Sequence, residues 1–273
     1  PRSPIMGYFS QYNVDPDNLM VKGETGLLAP NSEERPSYAA ANFSWNFDVI
    51  EVLNAKDYAF FHTHRVPEGI TVDADTGCAV TPGEVFPEWV STCEVEEGET
   101  PDPECVCVPG DPAWPGVIED WLQLLKTGKR VVGTANSDSH SPHRTEPGTP
   151  RTFVAVHSDA PNHVSPAELA TALMSGDALM TNGPFVTLEV RGEGTAGMGD
   201  TLQSKEGKVT VEMRLQAPAW IKMDKLTVFF NGEDLGLDIS VPTAGKGKAL
   251  DDTIEFDVPI DKDGFLVFEI TGE

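Results

Sequence analysis

The hydrophobic pattern of this 273-residue chain changes period once, after Asn182-Gly183-Pro184, and that change limits the folds open to it. Beyond that point apolar and polar residues alternate. Val209, Val211, Met213 and Leu215 are interleaved with Thr210, Glu212 and Arg214. Leu226, Val228 and Phe230 follow the same rule into the turn Asn231-Gly232. Ile254, Phe256, Val258 and Ile260 repeat it, and residues 265–270 add a last apolar run. Side chains of a strand point alternately to its two faces. Period two with regularly spaced turns therefore predicts an antiparallel β-sandwich over residues 183–273.

Residues 1–182 read differently. Phe47-Asp48-Val49-Ile50-Glu51-Val52-Leu53 predicts a buried strand with a carboxylate near its end. Val117, Ile118, Trp121, Leu124 and Leu125 recur at helical spacing, with Gly128 placed to end the helix. Val131-Val132-Gly133-Thr134-Ala135 reads as the next strand, and residues 152–156 as another. Ser165-Pro166-Ala167-Glu168 has the capping-box pattern with Pro at the first helical position, and Gly176 sits where the C-cap belongs. Alternating strands and helices give the α/β class. Residues 66–112 interrupt this order as a loop-like insertion carrying all the cysteines and an acidic run from Glu94 to Glu104. No internal repeat is visible.

Composition excludes several functions. Asp and Glu number 44 against 19 Lys and Arg, a formal charge of −25, so the chain repels nucleic-acid phosphates and anionic membrane surfaces. The longest apolar runs, such as Tyr58-Ala59-Phe60-Phe61, fall far short of the roughly 18 residues a membrane helix needs. The cysteines Cys78, Cys93, Cys105 and Cys107 are even in number and clustered, which favours two disulfides and a periplasmic or extracellular location. A bridge between Cys105 and Cys107 would be strained, so each is expected to pair with Cys78 or Cys93, in either arrangement. A four-thiolate zinc site is the competing reading.

Three segments could carry chemistry. Asn136-Ser137-Asp138-Ser139-His140 follows a buried strand, where α/β folds gather their active sites. Asp138 and His140 are two apart and project to one side of extended backbone; carboxylate and imidazole together suit zinc, manganese or iron. The bland alternative is a polar turn. Glu51 is costly to bury without a partner, and a metal or a cation would resolve that cost. His62-Thr63-His64 has ligand spacing too, but the following Arg65, Pro67 and Glu68 favour a surface or packing role. Nucleophile elbows, phosphate loops and His-Glu-x-x-His are absent from the sequence, which leaves metal-assisted hydrolysis.

Several of these segments together resemble the polymerase-and-histidinol-phosphatase (PHP) superfamily of metallohydrolases, in its CehA/McbA-like branch. The pieces are Pro1-Arg2 with Gly7-Tyr8-Phe9, residues 47–52, Asp120-Trp121-Leu122-Gln123-Leu124-Leu125 with Gly128, residues 136–140, Pro150-Arg151-Thr152, and Thr181-Asn182-Gly183-Pro184. Residues 211–231, with Ala217-Pro218-Ala219-Trp220, resemble that branch's C-terminal module. The resemblance implies a distorted parallel (β/α)7 barrel with two or three divalent metal ions at its strand ends, followed by the β-sandwich. It makes Glu51 a bridging metal ligand and Asp138 and His140 the late Asp-x-His ligands, with Asp138 and His140 serving catalysis through the metal. It also implies that residues 1–182 are the C-terminal portion of the barrel, which an N-terminal fragment of the same protein would complete. His62 and His64 do not occupy the place of the family's early His-x-His pair.

The leading expectation is therefore a metal-dependent hydrolase of phosphoesters or other ester or amide bonds, acting on a small molecule through metal-activated water. Arg2, Arg144 and Arg151 could orient an anionic substrate, but the favoured reading is that they are surface charges pairing with this acidic protein. The chain taken alone is expected to be incomplete and inactive. The competing expectation is a secreted, non-catalytic binding protein on the same scaffold. Of the many carboxylates, Glu51 and Asp138 are expected to face metal and the rest to form a solvated surface.

Overall fold

The computed structural model describes residues 8–23, 39–54, 61–62, 64–65, 113–114, 116–139 and 148–272. In chain order they form α1 (Tyr8–Gln11), β1 (Val49–Asn54), β2 (His64–Arg65), β3 (Ala113–Trp114), α2 (Val117–Lys126), β4 (Val132–Asn136), β5 (Arg151–Val154), α3 (Pro166–Ser175), β6 (Ala178–Thr181), β7 (Phe185–Gly192), β8 (Gly194–Ala196), β9 (Lys208–Ala217), β10 (Lys225–Phe230), β11 (Glu233–Asp234), β12 (Leu250–Pro259) and β13 (Leu266–Thr271). The expected insertion with its four cysteines and acidic run lies outside the described residues, as do Arg2, His140, His143 and Arg144.

Helix α2 forms where the apolar spacing places it. Glu119 and Asp120 lie in its first turn and Lys126 in its last, each complementing the helix dipole. Gly128 follows the C-terminal turn with φ +82°, a left-handed conformation that glycine adopts without a Cβ penalty. Val117, Ile118, Leu122 and Leu124 are buried together with Ile50 and Val52 of β1, Val131, and the aromatic residues Phe9 and Tyr12. The Trp121 indole donates to the Val131 carbonyl at 2.7 Å, fixing the helix to the start of β4. β1 and β4 consequently lie side by side and parallel.

Helix α3 also has its expected ends. The Ser165 hydroxyl accepts from the Glu168 amide at 3.1 Å, Pro166 occupies the first turn, and Gly176 closes the helix with φ +85°. None of its residues is buried, so the cap matters more to this helix than packing does. Ser165→Ala is expected to cost about 1 kcal/mol, read as a lower denaturation midpoint at unchanged slope.

A parallel barrel is not shown among the described residues. Among the described residues β1–β4 is the one parallel pair, while β5 and β6 pair antiparallel in full register from Arg151↔Thr181 to Val154↔Ala178. β5 and β4 are joined by a side chain instead of a ladder. The Thr152 hydroxyl accepts from the Ala135 amide at 2.8 Å and donates to the Ala135 carbonyl at 3.0 Å. The coarser class, α/β followed by antiparallel sheets, stands.

The second half builds two sheets, β12-β9-β7-β8 and β11-β10-β13, all antiparallel. Val209, Val211, Met213, Leu215 and Ala217 of β9 face Leu226 and Val228 of β10 across a buried layer that also takes Val258. The alternation is therefore read correctly as a sandwich. Asn231 and Gly232 both have positive φ, 51° and 77°, as a two-residue hairpin turn with the strand twist requires. On the outer face of the large sheet, Arg214 holds Asp251 with two 2.7 Å hydrogen bonds, Arg191 reaches Glu212 and Glu255, and Lys208 reaches Asp257. The hydrogen bond from Arg214 depresses the pKa of Asp251, and that from Lys208 depresses the pKa of Asp257.

The small sheet is covered on both faces. Phe229 of β10, Phe265 and Val267 turn away from the sandwich layer and pack against the α2 cluster. The order of layers is thus large sheet, small sheet, α2, then β1–β4.

Candidate functional site

Glu51 and Asp138 come to the same end of the parallel pair β1–β4. The register runs Glu51↔Thr134, Leu53↔Ala135 and Asn54↔Asn136, skipping Val52. In an unbulged strand Glu51 and Asn54, three apart, would point to opposite faces; the extra residue puts them on one side. The Asn54 side-chain amide donates to Glu51 Oε2 at 3.1 Å. The Asn136 amide, on the neighbouring strand, donates to Oε1 at 3.0 Å. Both carboxylate oxygens are thus held from two strands. Buried Thr134 is satisfied by donating to the Ile50 carbonyl at 3.2 Å, so the polar residue inside β4 serves pairing with β1.

Asp138 lies two residues past Asn136 with φ +45°, the left-handed region that aspartate enters more readily than most residues. The chain turns there directly after the strand. Ser139 donates to Ser137 at 3.1 Å across it. The segment is a strand-end turn, and it also stands beside Glu51 through Asn136. Its expected partner, His140, lies outside the described residues. Among the described residues no group of three or more His, Cys, Asp and Glu side chains is arranged to hold a metal ion.

Arg151 opens β5 on an exposed surface, where it donates to the Thr149 hydroxyl at 3.0 Å and stacks 5.9 Å from the Phe153 ring centroid. His157 pairs with Glu168, and that contact holds the Glu168 carboxyl below its ordinary range. No described helix is long and apolar enough to cross a membrane.

His62 takes neither a metal-ligand nor a simple surface position. Its Nδ1 lies 3.3 Å from Glu119 Oε1 and its Nε2 lies 2.7 Å from Glu269 Oε1. Hydrogen bonds first to Glu119 and then to Glu269 outweigh burial and raise its pKa to about 9. Glu119 and Glu269 are 57 and 207 residues away in sequence, so spacing gave no sign of this cluster. The two asparagines around Glu51 carry no sequence signal of their role, although Asn136 opens the Asp138 motif.

No known protein family matches this chain, and neither does any curated protein or solved structure.

Proposed function

We propose that the chain is part of a PHP-type metal-dependent hydrolase that cleaves phosphoesters, or other ester or amide bonds, of a small and anionic substrate. The observation that carries this reading is the meeting of Glu51 with the strand end that leads into Asp138. Ligands of parallel α/β sheets bind beyond the carboxyl ends of the strands.

The Glu51 carboxylate is left able to accept a divalent ion. Each Glu51 oxygen accepts one amide hydrogen and keeps a further lone pair, so the asparagines orient the carboxylate without saturating it. Glu51, Asp138 and His140 would hold the ion, a carboxylate and imidazole set suited to zinc, manganese or iron. The reading draws the remaining ligands from an N-terminal segment of the same protein, as the resemblance implies. A bound ion of this kind lowers the pKa of water and offsets charge developing on the substrate oxygen. The part of the chain itself is positional: Asn54 and Asn136 fix Glu51, and the turn at Asp138 sets the second carboxylate beyond β4. Export to an oxidising compartment belongs to the same proposal and rests on the four cysteines.

Metal content of the full-length protein tests it. The protein is expected to retain about two or more divalent ions and to hydrolyse a phosphate or carboxylate ester. Asp138→Ala should lower both. If that substitution leaves metal content and hydrolysis unchanged, the site assignment fails and the non-catalytic binding protein becomes the better reading.

A further inference from the structure

We propose that His62 is a protonation-controlled clasp that fastens strand β13 of the sandwich to the first turn of helix α2. The clasp is independent of the hydrolase reading.

The geometry defines the protonation state. A neutral imidazole carries one N–H and can donate to one carboxylate, leaving a lone pair against the other. Here both ring nitrogens face carboxylate oxygens, Nδ1 that of Glu119 on α2 and Nε2 that of Glu269 on β13. With both glutamates ionised, only the imidazolium satisfies both. The surroundings hold it in place. The Phe61 carbonyl accepts from the Ile118 amide at 3.0 Å, which pins the His62 backbone to the start of α2. The Phe61 ring packs into the α2 core and stands edge-on to the imidazole at 4.9 Å.

The partners differ in what they lose on deprotonation. The Glu269 side chain is 9% exposed, whereas that of Glu119 is 41% exposed. Neutral His62 would leave Glu269 an almost buried carboxylate without its cation, a costly arrangement. Thr227 lies opposite Glu269 on β10 and is itself buried, so water has little access from that side. Among the described residues, the charged groups acting on His62 are Glu119 from α2 and Glu269 from β13.

The sign follows from the raised pKa. A histidine held at about 9, against 6.5 unfolded, contributes stability that is fully present below pH 6.5. That contribution is lost as pH rises through about 9. The clasp is shut at neutral pH and released in mild alkali, where β13, with its Val267 and the preceding Phe265, loses its charged anchor on α2.

Histidine-selective NMR of the whole chain tests this. His62 is expected to titrate near pH 9, and Glu269→Gln should lower that value by about one unit or more. Amide exchange in β13 and the first turn of α2, corrected for intrinsic rate, should accelerate between about pH 8 and 10 in the parent protein and lose that dependence in His62→Gln. Titration of His62 near its ordinary value, or exchange there that ignores pH, overturns the clasp. If His62→Gln does not fold, Glu119→Gln alters the exposed partner alone. It should still lower the His62 value, and failure to do so overturns the clasp equally.

Discussion

Leu215→Ala is expected to lower the unfolding free energy by about 2–5 kcal/mol, the largest single-residue effect on stability anticipated in this chain. Leu215 has no solvent exposure and sits in β9, the strand flanked by β7 on one side and β12 on the other. Its side chain enters the layer between the sheets, beside Met213 and Val211, which are equally enclosed. Truncation removes the transfer free energy of the lost methyl groups and leaves a cavity that two hydrogen-bonded neighbours prevent from collapsing. Leu215→Met conserves volume and should cost less than about 1.5 kcal/mol. Trp220→Ala supplies the contrast: that side chain is 81% exposed, and its removal should change stability by no more than about 0.5 kcal/mol. Urea unfolding of the three variants, followed by both circular dichroism and fluorescence, gives the comparison. Equal losses for Leu215→Ala and Trp220→Ala would mean that the sandwich core is not where the alternation places it.

What could be read in the sequence was local or periodic. The period-two runs located β9, β10 and β12 of the sandwich, because a strand with one buried face must alternate, while β7, β8 and β11 were not read. Capping chemistry located the C-terminal end of α2 and both ends of α3, because Gly128, Ser165 and Gly176 satisfy conditions set within a turn of helix. Most of the failures are relations between distant segments. Phe229 occupies a position that alternation assigns to solvent, yet it packs against the α2 cluster, and Glu269, expected on the solvated surface, is 9% exposed. The antiparallel pairing of β5 with β6 depends on how the chain around α3 returns, which no single strand pattern encodes.

Glycines carry a second lesson of the same kind. Gly176 was legible as a helix terminator. Gly199 was not, although a Cβ there would stand 2.3 Å from the Ser175 carbonyl oxygen and 2.6 Å from the Gly176 carbonyl carbon. With φ +75° as well, the position needs glycine for both conformation and space. It is the point where the β8–β9 connection touches the end of α3, and Arg130 reinforces it by donating to the Gly199 carbonyl. Only the tertiary contact reveals the requirement.

The candidate site was half legible. Glu51 and Asp138 were recognisable as strand-end carboxylates, but the amides that fix Glu51 were not, because the Val52 bulge that turns Asn54 toward it leaves no mark in composition. Those amides make Glu51→Gln the most discriminating substitution. The glutamine keeps the shape and one acceptor, but its NH2 must face a donor amide of Asn54 or Asn136. One hydrogen bond to a charged acceptor is lost and a second is weakened from charge-assisted to neutral, at a cost of about 1–3 kcal/mol in stability. A purely structural Glu51 predicts that loss and nothing more. A ligating Glu51 predicts in addition at least about a tenfold loss of divalent-ion affinity in the full-length protein, since an amide oxygen is a neutral and weaker donor. The control is Asn54→Ala, which frees Glu51 Oε2 while leaving the carboxylate itself intact. It should cost comparable stability through the lost bond but a smaller share of metal affinity, because Asn136 still orients Oε1. Equal metal binding by the parent protein, Glu51→Gln and Asn54→Ala would identify the asparagine-held carboxylate as a bracket between β1 and β4. A graded loss, greatest for Glu51→Gln, would identify it as a ligand.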